Sequence, residues 1–241
     1  MLTFFKRLIG GLFKLVFALV LLVLVAGGTI FAVTGYNAYR DAIAERPVTE
    51  AIAAVQAQAD FTPLAAIPAV YQNAVVAVED HRFYSHHGLD IIGTTRAIVR
   101  NALSGELAEG GSSITQQLAK NLYFSQEASL TRKIAEFLVA RDIEKAYSKD
   151  EILEAYINCI YYGDGYYTIA AASWGYFGVP PSALTNGQAT LLAGVPNAPS
   201  VYAPTVNFDL ARQRQQHVLQ AMVDNDMLSA ADAEAIYASG I

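Results

Sequence analysis

The 241-residue sequence has almost no cysteine and almost no sign of β-structure. Its only cysteine, Cys159, lies in the apolar run INCIYY, which excludes an intramolecular disulfide and a cysteine-based zinc cluster. No basic residue lies beside Cys159 to lower its pKa, so a buried free thiol is expected rather than a catalytic one. Repeats, low-complexity stretches and long Gly/Ser linkers are absent, and the alternation typical of strands is nearly absent. The sequence therefore predicts a mainly α protein.

Formal charge is missing from one long segment near the N-terminus. Residues 15–39, LVFALVLLVLVAGGTIFAVTGYNAY, form a run of 25 residues without Asp, Glu, Lys or Arg, and a spanning helix needs about 20. Because Lys6, Arg7 and Lys14 precede this run, the positive-inside bias predicts a cytoplasmic N-terminus and an external body. A cleaved signal peptide is the alternative, but its apolar region is typically about 7–15 residues long, which favours a retained anchor.

These features divide the chain into four expected parts. Residues 1–14 are a cytoplasmic tail, 15–36 a transmembrane helix, 37–66 a stalk or linker, and 67–241 the main domain. Beyond residue 14 the formal charge is −9, which argues against nucleic acid as a partner. Yet six of the 13 cations there lie close together: Lys120, Arg132, Lys133, Arg141, Lys145 and Lys149. This segregation is consistent with an anionic ligand at one place on an acidic body.

Helical periodicity recurs along the main domain. An apolar helix is expected to end at about Glu79, and the segment from Ser148 to Glu151 fits a capping box at the start of another helix. Further helices are expected around residues 114–124, at about 208–224 and after 229. In residues 132–147 the pattern places Ile134, Phe137 and Leu138 inward, and the charged residues outward.

Glu79 ends the apolar run AVVAVE and is the first candidate for chemistry. The negative end of a helix dipole and burial beside valines would both raise the pKa of this carboxyl group. Such a shift brings a carboxylate into the range where it works as a base near neutral pH. The alternative is an exposed glutamate at a fraying helix end, and this segment alone does not decide between the two.

Glu136 is the second candidate, because Arg132 and Lys133 precede it by four and three residues and can lie beside its carboxylate on a helix. Taken alone, RKIAE is more often an ordinary surface ion-pair cluster. The turn GGSS before Ile114 offers free N–H groups and hydroxyls at a helix start, which suit an anion or a sugar. It is also a common N-cap.

Five segments occur in order between residues 79 and 204: EDHRFYSHHGLD, GGSSITQQLAKN, RKIAE, KDEILEAYIN and NAPSVYAP. Together they resemble the peptidoglycan glycosyltransferase family 51, the polymerases of lipid-linked cell-wall precursor, over residues 70–205. In so short a chain no penicillin-binding domain is expected to follow, so the resemblance is to the monofunctional, membrane-anchored members. It implies a lysozyme-like, mainly α glycosyltransferase domain with a globular lobe and a small membrane-associated jaw lobe, preceded by one transmembrane helix.

The resemblance also implies roles for individual residues. Glu79 matches the general base that deprotonates the acceptor's 4-hydroxyl, which then displaces undecaprenyl pyrophosphate with inversion to a β-1,4 bond. Glu136 matches a second essential glutamate. The remaining matched positions are candidates for contact with substrate: Lys120, Arg132 and Lys133 near the pyrophosphate, and Asp80, Phe83, His86, Ser113, Gln117, Arg141, Lys149 and Asn158 elsewhere. For His86 the expected role is to position the loop after Glu79, and Glu154 and Asn158 have the alternative of fastening their helix to the core.

The same resemblance implies cofactors, partners and location. It leaves open a divalent cation (Mg or Mn) held at Glu136 beside the pyrophosphate, and it implies no organic cofactor. The implied partners are lipid II, the growing lipid-linked glycan and the membrane, with other cell-wall synthesis or division proteins left open. The implied location is the bacterial inner membrane with a periplasmic catalytic domain.

Two other functions stay open from the sequence. A lytic enzyme that cleaves the same glycan would suit a helical fold with one critical glutamate, but it would have no pyrophosphate for the cations to hold. A non-catalytic, membrane-anchored glycan-binding or scaffold protein is the other. Two positions also depart from the family's usual text, Thr168 in GYYTI and Gln188 before LLAG; neither alters the two glutamates.

Overall fold

The computed structural model describes residues 2–96, 111–125 and 129–241. Its main helices are α1 (Leu2–Glu45), α2 (Val48–Gln56), α3 (Ala69–Glu79), α4 (Ile114–Tyr123), α5 (Leu130–Ala146), α6 (Lys149–Ile157), α7 (Ile169–Phe177), α8 (Asn186–Gly194), α9 (Pro199–Tyr202), α10 (Phe208–Asp224) and α11 (Ala230–Ala238). A helical stretch also covers residues 91–96, and no strand occurs in the described ranges. The mainly α class is confirmed.

The core is built around α3. This helix reads AVYQNAVVAVE, and it packs against α8 and α10, while α4 packs against α5 and α6. Burial of large apolar side chains stabilises such contacts by about 1.5–3 kcal/mol each. Helix α3 ends at Glu79 because Asp80 leaves the helical conformation, with φ −162° and ψ 73°. That end faces the start of α4, since the backbone N–H of Ile114 donates to the Asp80 carboxylate.

Capping residues fix where several helices begin. The capping box predicted at Ser148 and Glu151 is present at the start of α6. The two residues that differ from the family's usual sequence also cap helices. Gln188 completes a capping box with Thr185 on α8, and Thr168 caps α7. Each such cap contributes about 0.5–2 kcal/mol. Both departures therefore act on helix starts.

Helix α5 is buried on a different face from the one predicted. Glu136 is 0% exposed and lies on the buried face with Val139, whereas Ile134, Phe137 and Leu138 are only partly buried. The prediction that Ile134, Phe137 and Leu138 point inward with the charges outward is wrong. The physical reason is that α5 is covered twice, by α4 on one side and by α1 on another, so one apolar stripe does not define its buried face.

Helix α1 joins the anchor to the domain without a break. Residues Phe13–Glu45 form a helix that contains an 18-residue window of mean hydropathy 2.8, long and apolar enough by length and composition to cross a membrane. Its C-terminal part packs against α5, where Tyr39 donates a hydrogen bond to Asp142. A stalk was expected over residues 37–66, but within it α2 buries Val48, Ile52 and Val55. Part of the expected stalk thus belongs to the packed body, because α2 has its own apolar face; the other boundaries and the division into two lobes stay predictions.

The α1–α5 contact depends on Gly35. A Cβ atom at this buried glycine would lie 2.6 Å from the Ile134 Cβ and 2.9 Å from the Thr131 carbonyl oxygen. Contacts that short do not occur between real atoms, so any side chain at residue 35 would force the two helices apart.

We expect Gly35→Ala to destabilise the folded protein by about 1–3 kcal/mol through this overpacking. Gly28→Ala is the matched control, because a Cβ at Gly28 meets no heavy atom within 4 Å and the gain in helix propensity is the same. Thermal unfolding of both variants in detergent measures the difference. Equal melting temperatures for the two variants would show that α1 does not pack against α5 in this way.

Candidate active site

Glu79 lies at the C-terminal end of α3 with its two carboxylate oxygens in different environments. Oε2 accepts a hydrogen bond from Gln117 Nε2 at 2.7 Å. Oε1 is buried and has no hydrogen-bond partner among the described residues. The residue as a whole is half-buried, so it is not the exposed glutamate of a fraying helix end.

The surroundings of Glu79 raise its pKa. Burial is the largest cause, and the neighbouring Asp80 adds to it. The hydrogen bond from Gln117 and the positive charges of Arg214 and Lys120 act in the opposite direction without cancelling the effect of burial. A carboxyl group with a raised pKa is suited to take up a proton near neutral pH.

Asp80 supports this position instead of sharing its chemistry. Its carboxylate lies 2.8 and 2.9 Å from Nε2 of the buried His86, and it accepts from the Ile114 backbone N–H at 3.1 Å. These contacts tie the loop after α3 to the first turn of α4. His86 thus holds the loop in place, as expected, and His87 is exposed.

Ser113 is used in the same junction. Its hydroxyl accepts from the Gln116 N–H as the N-cap of α4 and donates to the Gly88 carbonyl at 2.6 Å. Gly88 has φ +84°, a conformation that favours glycine. Since Ser113 is buried and its hydroxyl is engaged twice, it is a structural residue of the site and its side chain is not placed to hold substrate.

Glu136 forms a second, different carboxylate centre. It is fully buried, with Oε1 at 2.7 Å from Arg132 Nε and Oε2 at 2.7 Å from Lys133 Nζ. Lys133 Nζ also donates to the Ser112 hydroxyl at 2.8 Å. A carboxylate buried this completely is not part of an ordinary surface ion-pair cluster. The contact with Ser112 places Lys133 against the turn that begins α4.

Lys120 lies between the two centres. It follows Gln117 by three residues on α4, so both side chains occupy one face of that helix. Burial lowers the pKa of its ammonium group, the charge of Glu136 opposes this, Lys133 and Arg132 add to it, and Glu79 opposes it. Within the described ranges no hydrogen bond or ion pair engages this ammonium. It is therefore available to an anion.

An open pocket lies beside Glu79. Its lining residues are Glu79, Asp80, His81, Asp90, Gly93, Thr94, Arg96, Gly111, Ser112 and Ser113. On one wall the Arg96 guanidinium lies 3.1 Å from the His81 ring. The pocket thus brings the first two sequence motifs together beside Glu79.

Three predicted substrate contacts lie apart from this pocket. Phe83 is fully buried under the Lys149 ammonium, 4.4 Å from its ring centroid, and Lys149 is ion-paired to Glu144 at 2.7 Å. Arg141 is exposed beside Asp142 at 4.0 Å, near the base of α1. Phe83 and Lys149 therefore stabilise the packing at the loop of residues 83–85. Arg141 lies on a separate surface.

Asn158 has the fastening role that the sequence left as an alternative. Its amide donates to the carbonyls of Thr62 and Glu154 and accepts from the Thr62 N–H, each at 2.9 Å. Glu154 in turn accepts from the Leu64 N–H at 2.7 Å. Because Asn158 is fully buried and both of its amide hydrogens are donated within the protein, we do not retain it as a substrate-binding residue.

Two residues near Glu79 were missed by sequence reasoning. Arg214 on α10 contributes positive charge, and its side chain crosses Gly194, where a Cβ would lie 2.9 Å from the arginine Cγ. Tyr156 on α6 donates to Gln117 Oε1 at 3.1 Å. Arg214 lies outside the stretch that carries the motifs, so no local signal could have identified it. Tyr156 lies within the motif KDEILEAYIN, but the motif alone does not distinguish it from the other core tyrosines.

The donor set at Glu136 does not fit a divalent cation held by the protein. Both of its oxygens face cationic side chains. In the described part of the chain no three His, Cys, Asp or Glu residues lie close enough together to hold a metal ion. We therefore derive no step through a metal. The only cysteine, Cys159, is free, and burial raises its pKa to about 12, so it does not contribute a thiolate.

Comparisons with known proteins show which family this chain is similar to. The family model described as Transglycosylase matches residues 45–223. A protein named "Putative transglycosylase" from Cupriavidus necator is 43% identical over 93% of this chain and 93% of its own length. Penicillin-binding protein 1A of Neisseria lactamica is 46% identical over 70% of this chain, but the match spans only 21% of that longer protein. The crystal structure of penicillin-binding protein 1A from Haemophilus influenzae aligns at 29% identity over 53% of this chain and 16% of its own, with a TM-score of 0.37, too low to bear on the fold.

The raised pKa of Glu79 predicts a stability effect. A group whose pKa is higher in the folded state than in the unfolded state stabilises the folded protein fully below its unfolded pKa. That contribution to stability is lost as the pH rises through the folded pKa. Above the unfolded pKa, this carboxyl group therefore lowers the stability of the folded protein, and the loss grows as the pH rises toward the folded pKa. We expect Glu79→Gln to raise the melting temperature at pH 7.5 by a few degrees and to leave it unchanged near pH 4.

Glu151→Gln is the control of opposite sign. Hydrogen bonds from Ser148 lower the pKa of the Glu151 carboxyl, so its removal is expected to lower the melting temperature slightly at pH 7.5. Thermal unfolding of the three proteins across this pH range makes the comparison. A Glu79→Gln variant that is less stable than wild type at pH 7.5 would contradict the description of Glu79 as a carboxyl group whose pKa is raised by burial.

Proposed function

Because this chain belongs to the Transglycosylase family and is a glycosyltransferase of peptidoglycan synthesis, we propose that it polymerises lipid II into β-1,4-linked glycan strands. The reaction is an inverting displacement of undecaprenyl pyrophosphate. The observation that carries the proposal is the presence of two different carboxylates. Glu79 is half-buried and has a raised pKa, whereas the buried Glu136 is held between the cations Arg132 and Lys133.

Glu79 acts as the general base in this proposal. A sugar hydroxyl is a poor nucleophile, so its proton must be removed as its oxygen attacks the anomeric carbon of the donor. The proton passes to the Glu79 carboxylate, the new C–O bond forms, and the bond to pyrophosphate oxygen breaks on the opposite face. Oε1 of Glu79 suits the proton, because it accepts no hydrogen bond within the described protein.

Lys120, with Arg132 and Lys133, stabilises the leaving group. Negative charge gathers on the pyrophosphate as its bond to the sugar breaks, and preorganised cations in a partly dry site oppose that charge. Glu136 holds Arg132 and Lys133 in place by its two ion pairs. In this arrangement Glu136 is a positioning residue for the cations, and Lys120 is free to contact the anion directly.

The anchor helix brings the site to its substrates. An apolar N-terminal helix is consistent with a membrane-anchored protein, and lipid-linked glycans lie in the same bilayer. We propose a single-pass protein of the bacterial inner membrane, with residues 1–14 inside and the catalytic domain in the periplasm. Its partners are then lipid II and the growing lipid-linked glycan, and cell-wall synthesis or division proteins are candidates for further partners.

Incubation of the purified full-length protein with lipid II tests the function. We expect glycan polymer and released undecaprenyl pyrophosphate. Loss of a general base typically costs on the order of 100- to 10,000-fold in rate, so Glu79→Gln should reduce polymerisation by at least that lower bound. Glu151→Gln, an exposed glutamate in a helix cap, should keep wild-type turnover.

Other products would favour another function. Shortened or anhydro-ended glycan from finished peptidoglycan would indicate a lytic enzyme. Binding of lipid II without turnover would indicate a glycan-binding protein. Either result, obtained with folded wild-type protein, overturns the proposal.

Glu136→Gln tests the role of the ion-pair cluster. Removing the carboxylate leaves Arg132 and Lys133 without their shared partner, and breaking a buried pair typically costs about 3–5 kcal/mol. We expect a strong loss of turnover together with a lower melting temperature. Near-normal turnover by this variant would show that the cations need no support from Glu136.

A further inference from the structure

Tyr156 lies behind the hydrogen bond that holds Glu79. Its ring is fully buried on α6, and its hydroxyl donates to Gln117 Oε1 at 3.1 Å. The other end of the same amide donates to Glu79 Oε2 at 2.7 Å. Three side chains from three helices thus form a continuous chain of hydrogen bonds that ends on the proposed base.

The orientation of the Gln117 amide decides which state of Glu79 it favours. With its NH2 group toward Glu79, the amide donates to a carboxylate and favours the ionised form. With the amide turned over, its carbonyl would face the carboxylate and favour the protonated form. The two ends of an amide have almost the same shape, so packing alone does not choose between them.

The hydroxyl of Tyr156 makes this choice. Burial raises its pKa well above the ordinary value, and the charge of Glu79 adds to the effect, so it stays a donor. Within the described ranges its only hydrogen-bond acceptor is Gln117 Oε1. Turning the amide over would leave this buried O–H without an acceptor, which costs about 1–3 kcal/mol.

We infer that Tyr156 is a positioning residue for the base: it holds the Gln117 amide so that the NH2 group faces Glu79 and keeps this carboxylate ready to accept a proton. The inference rests on the proposed function, in which Glu79 is the base. It adds a residue of α6 that acts through Gln117 and touches neither substrate nor reacting atoms.

The other groups around Glu79 do not take over this role. The charged groups that act on its carboxylate are Asp80 beside it, Lys120 from α4 and Arg214 from α10. Tyr71 of α3 is occupied elsewhere, because its hydroxyl pairs with that of Tyr162 at 2.6 Å. Tyr162 is fully buried too and donates to the Ile157 carbonyl at 3.2 Å.

Tyr156→Phe tests the inference, because it removes the donor and keeps the ring. We expect the acid limb of the kcat–pH profile for lipid II polymerisation to move to higher pH. At the midpoint of the wild-type limb turnover should fall by about three- to tenfold, the effect of one lost hydrogen bond. KM for lipid II should stay unchanged, and turnover should approach wild type at higher pH.

Tyr162→Phe is the matched control. It removes a hydroxyl from an equally buried tyrosine whose hydrogen bonds do not reach Gln117. We expect it to lower the melting temperature about as much as Tyr156→Phe and to keep the wild-type pH profile. If both variants move the acid limb equally, the shift reflects general loosening of the core and the inference is wrong.

A double mutant tests whether Tyr156 acts through Gln117. In a Gln117→Leu background the amide is gone, so adding Tyr156→Phe should not move the acid limb further. An additional shift of the same size as in the wild-type background would show that Tyr156 acts by another route.

A measurement without substrate separates this inference from the proposed function. In full-length protein labelled with 13C at glutamate carboxyls, the Glu79 signal, assigned by its loss in Glu79→Gln, should titrate at higher pH in Tyr156→Phe than in wild type or Tyr162→Phe. An unchanged midpoint overturns the inference even if Glu79→Gln abolishes turnover. Conversely, full turnover by Glu79→Gln overturns the proposed function even if the midpoint moves.

Discussion

The hydrogen bond from Gln117 to Glu79 is the contact on which the site depends, because it joins the end of α3 to the face of α4. Helix α3 is apolar along most of its length and is therefore buried, so its last residue is carried to the inner edge of a pocket. Burial raises the pKa of this carboxyl group. One donated hydrogen bond and two nearby cations, Arg214 and Lys120, oppose burial and leave the group able to exchange a proton.

Two glutamates in two environments give the site its division of roles. Among the residues that the structure describes, one oxygen of Glu79 has no hydrogen-bond partner, whereas each oxygen of Glu136 lies beside a cation. Environments that differ in this way separate a proton acceptor from a fixed negative charge. Lys120 acts on both carboxylates and is paired with neither, so one of the two positive charges that act on the proposed base is also left for a ligand.

Local patterns in the sequence predicted the local features well. The end of α3 at Glu79, the capping box at Ser148 and the neighbours of Glu136 all depend on residues within four positions of each other. The buried face of α5 could not be predicted this way, because it is determined by α1 and α4 packing on it from distant parts of the chain. The same holds for α2, whose apolar face is buried in contacts that no stretch of residues 37–66 reveals, and for Tyr156, which reaches Glu79 only through the packing of α6 on α4.

The contact between α1 and α5 relates the site to the bilayer. Residues 15–34 make 20 positions of apolar helix, which rise about 30 Å, the thickness of the hydrocarbon layer. Gly35 follows directly after these 20 positions, and there α1 meets Ile134 of α5. Within two residues of Ile134 on either side, the same helix carries the cations and the carboxylate of the ion-pair cluster. Because α1 continues into the body as one helix, the proposed membrane anchoring would fix the distance of that cluster from the bilayer through helix geometry, and the lipid-linked substrate of the proposed function would need no flexible linker to reach it.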